Sequence, residues 1–273
     1  MTHPDSSDPD DRPVNSATQL ATSALDSGDP ELALVEAARI QDPGERALLE
    51  GRAYLAMDRL EPATGALERA AEALGSDDID VVELEGEVAL LRWDPEHARE
   101  CFEAVAEVED DVYLMERRAL LADLDGDADA SHKLMEDAHR SDPERPVPVR
   151  VSDERFDLLV KEALADLPAA FRPSVEAARI VTEPMPFAEL GAQSSHGTVP
   201  PDVLGLFVGP TIHDSAEGGS AELPPTIYLF QRNLERMATS EEDLGIEIRV
   251  TLFHEIGHLL GLDEEEVAAM GLA

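Results

Sequence analysis

Gly51, Ala63 and Leu67 recur as Gly86, Ala98 and Phe102, each 35 positions later. At the same offset Ala70 meets Val105, a partial match, and a looser third copy sets Ser131, Met135 and Ala138 a further 33 positions on. Small residues at most of these points let paired helices approach closely, while Leu67 and Phe102 fill the space between pairs. A period of about 34 residues marks stacked helix-turn-helix units, each burying its apolar face only against its neighbours. The segment from Ala17 to about Glu144 is rich in Ala, Leu and Glu with helical spacing. Gly28-Asp29-Pro30, Asp42-Pro43-Gly44, Asp94-Pro95 and Asp142-Pro143 punctuate it. Proline is excluded from helix interiors, so these pairs mark helix starts and stops.

The run Gly51-Arg-Ala-Tyr-Leu-Ala, continuing through Ala63 to Ala70, resembles a tetratricopeptide repeat. The resemblance covers roughly 17–145 and is best in that unit; Val105 is a departure in the next. It implies a concave surface for a protein or peptide partner. An irregular bundle of Ala-rich amphipathic helices would produce a similar pattern.

The charge balance narrows the partners. Among 273 residues, 60 Asp and Glu against 21 Lys and Arg give a formal charge of −39. Nucleic acid and anionic membranes are therefore not expected as partners, because phosphate contacts need clustered Lys and Arg. A basic or neutral protein partner is favoured over an acidic one. Lys133 and Lys161 are the only lysines. Such a surface suits a salt-rich cytoplasm, and a biased genomic composition would give the same balance. Cys101 is the single cysteine, which excludes an intrachain disulfide and a multi-cysteine zinc site and reads as a small buried thiol. Residues 1–16 are acidic and Pro-rich, read as a disordered leader, and lack the basic start and apolar run of a signal peptide. No apolar stretch approaches a bilayer-spanning length. A soluble, cytoplasmic protein is expected.

After Pro146-Val147-Pro148 the texture changes. Ser152 is placed to cap a helix with Phe156, Leu159, Val160, Ala163 and Leu164 on one face. Residues 178–182, 204–208 and 226–230 read as strands, and the stretches 191–202 and 213–225 as loops. A last helix runs from Glu241 or Leu244 to Leu260 and stops at Gly261. The expected architecture is multi-domain: all-α repeats over 17–146, followed by a small α+β domain over 147–273.

His254-Glu255-Ile256-Gly257-His258 carries the chemistry. On a helix, positions i and i+4 share a face, so two imidazoles converge on one ion. Zinc accepts such nitrogens at about 2.0–2.1 Å and leaves a position open for water. Glu255, next to the first ligand, points beside the metal, where it can take a proton from water and pass it to a leaving amine. Gly261 ends the helix in a turn that swings the chain back toward the metal. Beyond it, Glu264 or Asp263 can supply a carboxylate ligand.

The spacing His254-Glu255-x-x-His258-x-x-Gly261-x-x-Glu264 is similar to the metzincin pattern with a carboxylate in place of the third histidine. More closely, residues 150–273 resemble the minimal zincin-like metallopeptidase family of bacteria. Arg155 to Pro168 looks like that family's opening helix and Leu204-Gly-Leu-Phe-Val-Gly like its central strand. Ile227-Tyr-Leu-Phe-Gln-Arg-Asn looks like the strand before the active-site helix. The resemblance implies His254 and His258 as metal ligands and Glu255 as general base. The family's third acidic position, usually Asp, falls on Glu264.

Around this motif, Met270 is placed to close the C-terminal core or to lie beneath the metal, and His196 and His213 to be solvated or to rim the cleft. Tyr228 is placed to pack or to line the cleft. The strand Thr226–Phe230 is expected to offer an edge to an extended peptide. The leading expectation is a zinc-dependent peptidase acting on a peptide or protein, with the helical repeats binding a protein partner. The alternative is a non-catalytic binding or scaffold protein with a structural or idle metal site, against which an intact Glu255 weighs. A metal-buffering protein is disfavoured because the other histidines are scattered singly.

Overall fold

The computed structural model describes residues 16–108, 111–168, 171–176, 178–190, 198–211, 224–262 and 266–267. Of the leader read over 1–16, residues 1–15 lie outside the described residues, and Ser16 caps the first helix, its hydroxyl accepting from the Gln19 amide. Two compact units part between Val88 and Ala89.

The first unit is helical. It holds α1 (Ala17–Asp26), α2 (Pro30–Ala37), α3 (Pro43–Leu55) and α4 (Leu60–Leu74), and the division falls within α5 (Ile79–Leu91). Aspartate begins several of these helices for a local reason. Asp29 Oδ1 accepts from the Leu32 amide at 2.9 Å, and Asp42 Oδ1 from those of Gly44 and Glu45, with Pro at the first helical position after each. Ala47, Leu48, Ala70, Val81 and Leu84 form one buried cluster and Ala21, Ala37, Ile40 and Leu49 another. Gly51 permits close approach: a Cβ there would stand 2.7 Å from Leu84 Cδ2.

The second unit opens with α6 (Pro95–Ala106), α7 (Val112–Leu124) and α8 (Ala128–Ser141). Asp94, Asp111 and Asp127 cap them. Ala98, Phe102, Val105, Ser131, Met135 and Ala138, the residues singled out by the repeat, are buried, as is Cys101. After Asp142, which ends α8, come α9 (Asp153–Ala165), the short α10 (Arg172–Val175) and β1 (Arg179–Glu183). β2 (Gly205–Val208), β3 (Thr226–Phe230), α11 (Gln231–Arg236) and α12 (Glu241–Leu259) complete it. The expected junction at 146/147 lies inside this unit. No helix of the described residues is long and apolar enough to cross a membrane.

The described strands form one sheet in the order β1-β3-β2, with β1 parallel and β2 antiparallel to β3. β3 is therefore the middle strand. Tyr228 pairs with Val181 on one side and Leu206 on the other. This overturns the expectation that Thr226–Phe230 presents a free edge: its backbone groups are already spent on two neighbours. A second correction concerns Gln231-Arg-Asn, read as part of that strand. These residues begin α11, and buried Gln231, Asn233, Leu234 and Glu235 face inward at helical spacing.

The core lies where α9 and α12 cover one face of the sheet. Phe156, Leu159, Val160 and Ala163 pack with Leu244, Ile248, Leu252, Ile256 and Leu259, and with Phe207, Ile227 and Leu229 from the strands. The α12 residues are four, four, four and three positions apart, one stripe of a helix. On the other face Leu190, Val199, Leu206, Val208 and Phe230 form a smaller cluster.

An ionic network ties the α7–α8 hairpin to α11. The Asp123 and Glu235 side chains are 1% and 0% exposed. Arg150 donates to Asp123 Oδ2, Glu235 Oε2 and Ser131 Oγ, each at 3.0 Å. Arg236 donates to Asp123 Oδ2 at 2.5 Å and to the Ala119 carbonyl at 3.3 Å. Glu235 also accepts from Arg232, Gln231 and the Val151 amide. Buried carboxylates are tolerated when their oxygens are satisfied in this way, and removal of one partner strands the rest. Trp93 Nε1 donates to the Val199 carbonyl at 2.8 Å in the same unit.

Candidate metal centre

α12 positions the site. Ser240 caps it, accepting from the Asp243 amide at 3.1 Å, and Glu241, Glu242 and Asp243 sit in the first turn, where negative charge meets the positive end of the helix dipole. Thr239 and Ser240 hydroxyls hydrogen-bond the Asp243 carboxylate and hold it below the usual carboxylate range. A hydrogen bond from Arg155 does the same for Glu241.

Four turns into the helix, the His254 and His258 Nε2 atoms approach to 3.0 Å, with ring centroids 4.6 Å apart and planes at 82°. An ion bound tetrahedrally at about 2.05 Å from each nitrogen would set them roughly 3.3 Å apart, so the pair fits a zinc-sized ion with little adjustment. Glu255 points off this face into the protein and is 7% exposed. It lies against the start of β2. A Cβ on Gly205 would stand 3.1 Å from Glu255 Cγ and 2.7 Å from Thr251 Cγ2. Glycine at 205 thus makes room for the carboxylate stem. Leu204-Gly205 read only as the beginning of a strand, and its closeness to Glu255 exists only after folding.

The helix ends as its glycine dictates. Gly261 has φ +82°, its amide donates to the His258 carbonyl at 2.9 Å, and the Leu262 amide donates to Gly257 at 3.1 Å. The Leu262 carbonyl then lies 3.4 Å from His258 Nδ1, on the far side of the ring from Nε2. Val267 is fully buried and returns across the helix: a Cβ on Gly257 would stand 2.5 Å from Val267 Cγ2. The chain on both sides of 263–265 is therefore held beside the last turn of α12. Asp263, Glu264 and Met270 lie outside the described residues, as do His196 and His213. Tyr228 belongs to the apolar side. It stacks on Phe230 with centroids 6.2 Å apart and meets Phe187 edge-on at 6.1 Å, on the sheet face that carries Leu206.

The donor set is two neutral-capable imidazoles on one helical face beside a buried carboxylate. It suits zinc better than calcium or magnesium, which prefer oxygen ligands. A search of curated proteins finds no match to the chain. Residues 175–272, which contain β1, β2, β3, α11 and α12, match the family Zincin-like metallopeptidase, and this region is similar to that family.

Proposed function

We propose that the chain is a zinc-dependent peptidase that hydrolyses peptide bonds in a peptide or protein substrate. The observation that carries this reading is the convergence of the His254 and His258 Nε2 atoms at 3.0 Å beside buried Glu255. His254 and His258 hold the ion, and Glu264 completes the ligand set, with Asp263 the alternative. The return of the chain through Gly261 to Val267 supports a ligand from that stretch. Zinc held there supplies a Lewis acid for the scissile carbonyl and makes a water acidic enough to attack near neutral pH.

The rest falls to the chain. Glu255 accepts the proton of the attacking water on its carboxylate and delivers it to the departing amine nitrogen. Its burial between α12 and Gly205 restricts its rotamers, so the carboxylate is oriented before substrate arrives. The extended substrate adds to β2, because β3 is paired on both sides and β2 begins at Gly205 beside Glu255. The helical half binds a protein or peptide partner.

The test pairs metal content with hydrolysis of a peptide pool. Wild type should carry near one zinc per chain, and His258→Ala should lose it. Glu255→Gln should keep zinc and lose hydrolysis by a factor on the order of 10²–10⁴. Equal hydrolysis by wild type and Glu255→Gln would end the peptidase reading.

A further inference from the structure

Four of the turns between helices share a backbone conformation, and one of them holds a residue ill suited to it. Gly28, Asp58, Trp93 and Gly126 each stand two positions before the next helix, with φ of +74°, +54°, +59° and +76°. Glycine takes this left-handed conformation without strain and aspartate tolerates it, but a bulky side chain is strained there. The turn at 93 closes through main-chain groups: the Trp93 amide donates to the Leu90 carbonyl at 3.0 Å and the Asp94 amide to that of Ala89 at 2.9 Å. Nothing in those bonds calls for tryptophan. The indole acts 106 positions along, in the same compact unit, where Nε1 donates to the Val199 carbonyl at 2.8 Å.

Val199 opens a stretch that is held along its length as it enters β2. Its side chain is buried. Asn233 on α11 donates to the carbonyls of Pro201 at 3.0 Å and Val203 at 2.7 Å. Arg117 on α7 donates to the Asp202 carboxylate at 3.1 Å. The Phe230 amide donates to the Leu204 carbonyl at 3.0 Å, and β2 then begins at Gly205 against Glu255. Pro200 and Pro201 have a fixed φ, so a shift at Val199 passes along the stretch instead of being absorbed in it. Among the described strands β2 pairs with β3 alone, which leaves its other side for an extended chain.

We infer that Trp93 is a positioning residue for substrate: it fixes residues 199–204, and with them the outer side of β2 on which the substrate backbone lies. The strained turn is kept because the indole reaches Val199 from it. Trp93 acts through β2, so its loss weakens ligands that extend along β2 and spares those that reach only the ion. This inference rests on the peptidase reading and on addition of substrate to β2.

The test uses the zinc-loaded full chain and isothermal titration calorimetry with two zinc ligands. Acetohydroxamate reaches only the ion, and an acetylated Ala/Leu tetrapeptide hydroxamate carries a chain that can lie along β2. The tetrapeptide compound should bind the wild type tighter than acetohydroxamate does. Trp93→Phe keeps a ring and removes the Nε1 donor, and should weaken the tetrapeptide compound by about fivefold. Trp93→Gly relieves the turn and removes the ring, and should weaken it by about tenfold. Both variants should bind acetohydroxamate as the wild type does, and circular dichroism confirms that each folds. Wild-type affinity of both variants for the tetrapeptide compound overturns the inference. Equal weakening of both ligands marks a merely structural role and also overturns it. If the tetrapeptide compound binds the wild type no tighter than acetohydroxamate, docking on β2 and the role of Trp93 fall, and hydrolysis of the peptide pool still decides the peptidase reading. If the expected differences appear but the pool is not hydrolysed, the peptidase reading falls and the positioning of β2 by Trp93 stands. If neither compound binds, both fall.

Discussion

Replacing Asp123 by Asn keeps the shape of the side chain and removes the charge that two guanidinium groups share. In the native chain Asp123 accepts from Arg150 at 3.0 and 3.2 Å and from Arg236 at 2.5 Å. Burial pushes the Arg236 guanidinium below its usual range; Asp123 opposes that effect and the neighbouring Arg150 charge adds to it. Without the Asp123 charge, Arg150 keeps Glu235 and Ser131, while Arg236 keeps its hydrogen bonds to Asn233 Oδ1 and the Ala119 carbonyl and the weaker field of Asp202. Breaking a buried pair by removing one charge costs about 3–5 kcal/mol. The lower end applies here, because Arg150 and Arg236 retain 18% and 13% exposure and water can reach part of each. For a unit of this size about 3 kcal/mol lowers the unfolding midpoint by roughly 10 °C. Trp93, the only tryptophan, donates to Val199 within the same unit, so its emission during a thermal ramp reports on that unit. A drop of less than about 2 °C would refute the claim that this network holds α7 and α8 to the sheet region.

The other predictions probe truncation, the Gly205–Glu255 contact and acid. A chain starting at Val147 lacks Asp123 and Ser131, both partners of Arg150, so it should melt well below one starting at Ala89; equal midpoints by calorimetry would count against the network. Gly205→Ala places a methyl 2.7 Å from Thr251 Cγ2 and 3.1 Å from Glu255 Cγ. It should keep zinc and lower kcat/KM by about tenfold to a hundredfold through a displaced carboxylate; unchanged turnover would show that Glu255 is not positioned there. Glu241 and Asp243 both titrate below their ordinary values of 4.5 and 3.8, so their support for the start of α12 is full above those values and is lost as pH falls below them. Asp243→Ala should therefore cost more at pH 7 than at pH 2.5, measured as the difference in thermal midpoint from wild type at each pH.

Much of this protein was legible along the chain because the signals are local. Asp29, Asp42 and Asp94 each cap a helix through an amide two or three residues away, and Pro at the next position excludes the helix interior. Ser152 and Gly261 set the ends of α9 and α12 by equally short-range rules. The meeting of His254 and His258 needs only the helical repeat of 3.6 residues. The strands at 179–183, 205–208 and 226–230 were readable within a residue from their β-branched and aromatic runs.

What failed from sequence depends on partners far along the chain. Which strand lies in the middle is set by what pairs with it, and residues 226–230 look the same as an edge or a centre. Gln231-Arg-Asn continues an apolar strand by eye, yet buried Asn233 and Glu235 find their partners at Pro201, Val203 and Arg150 only as a helix. Arg236 meets Asp123 across 113 positions, a contact that no local pattern announces, inside a compact unit that runs from Ala89. Sequence determined the elements and the two imidazoles, because backbone sterics and helix geometry act over a few residues. Tertiary structure decided the order of the sheet, the cradle of Gly205 around Glu255 and the extent of the unit. Burying charge and close-packing glycine depend on atoms that only folding brings together.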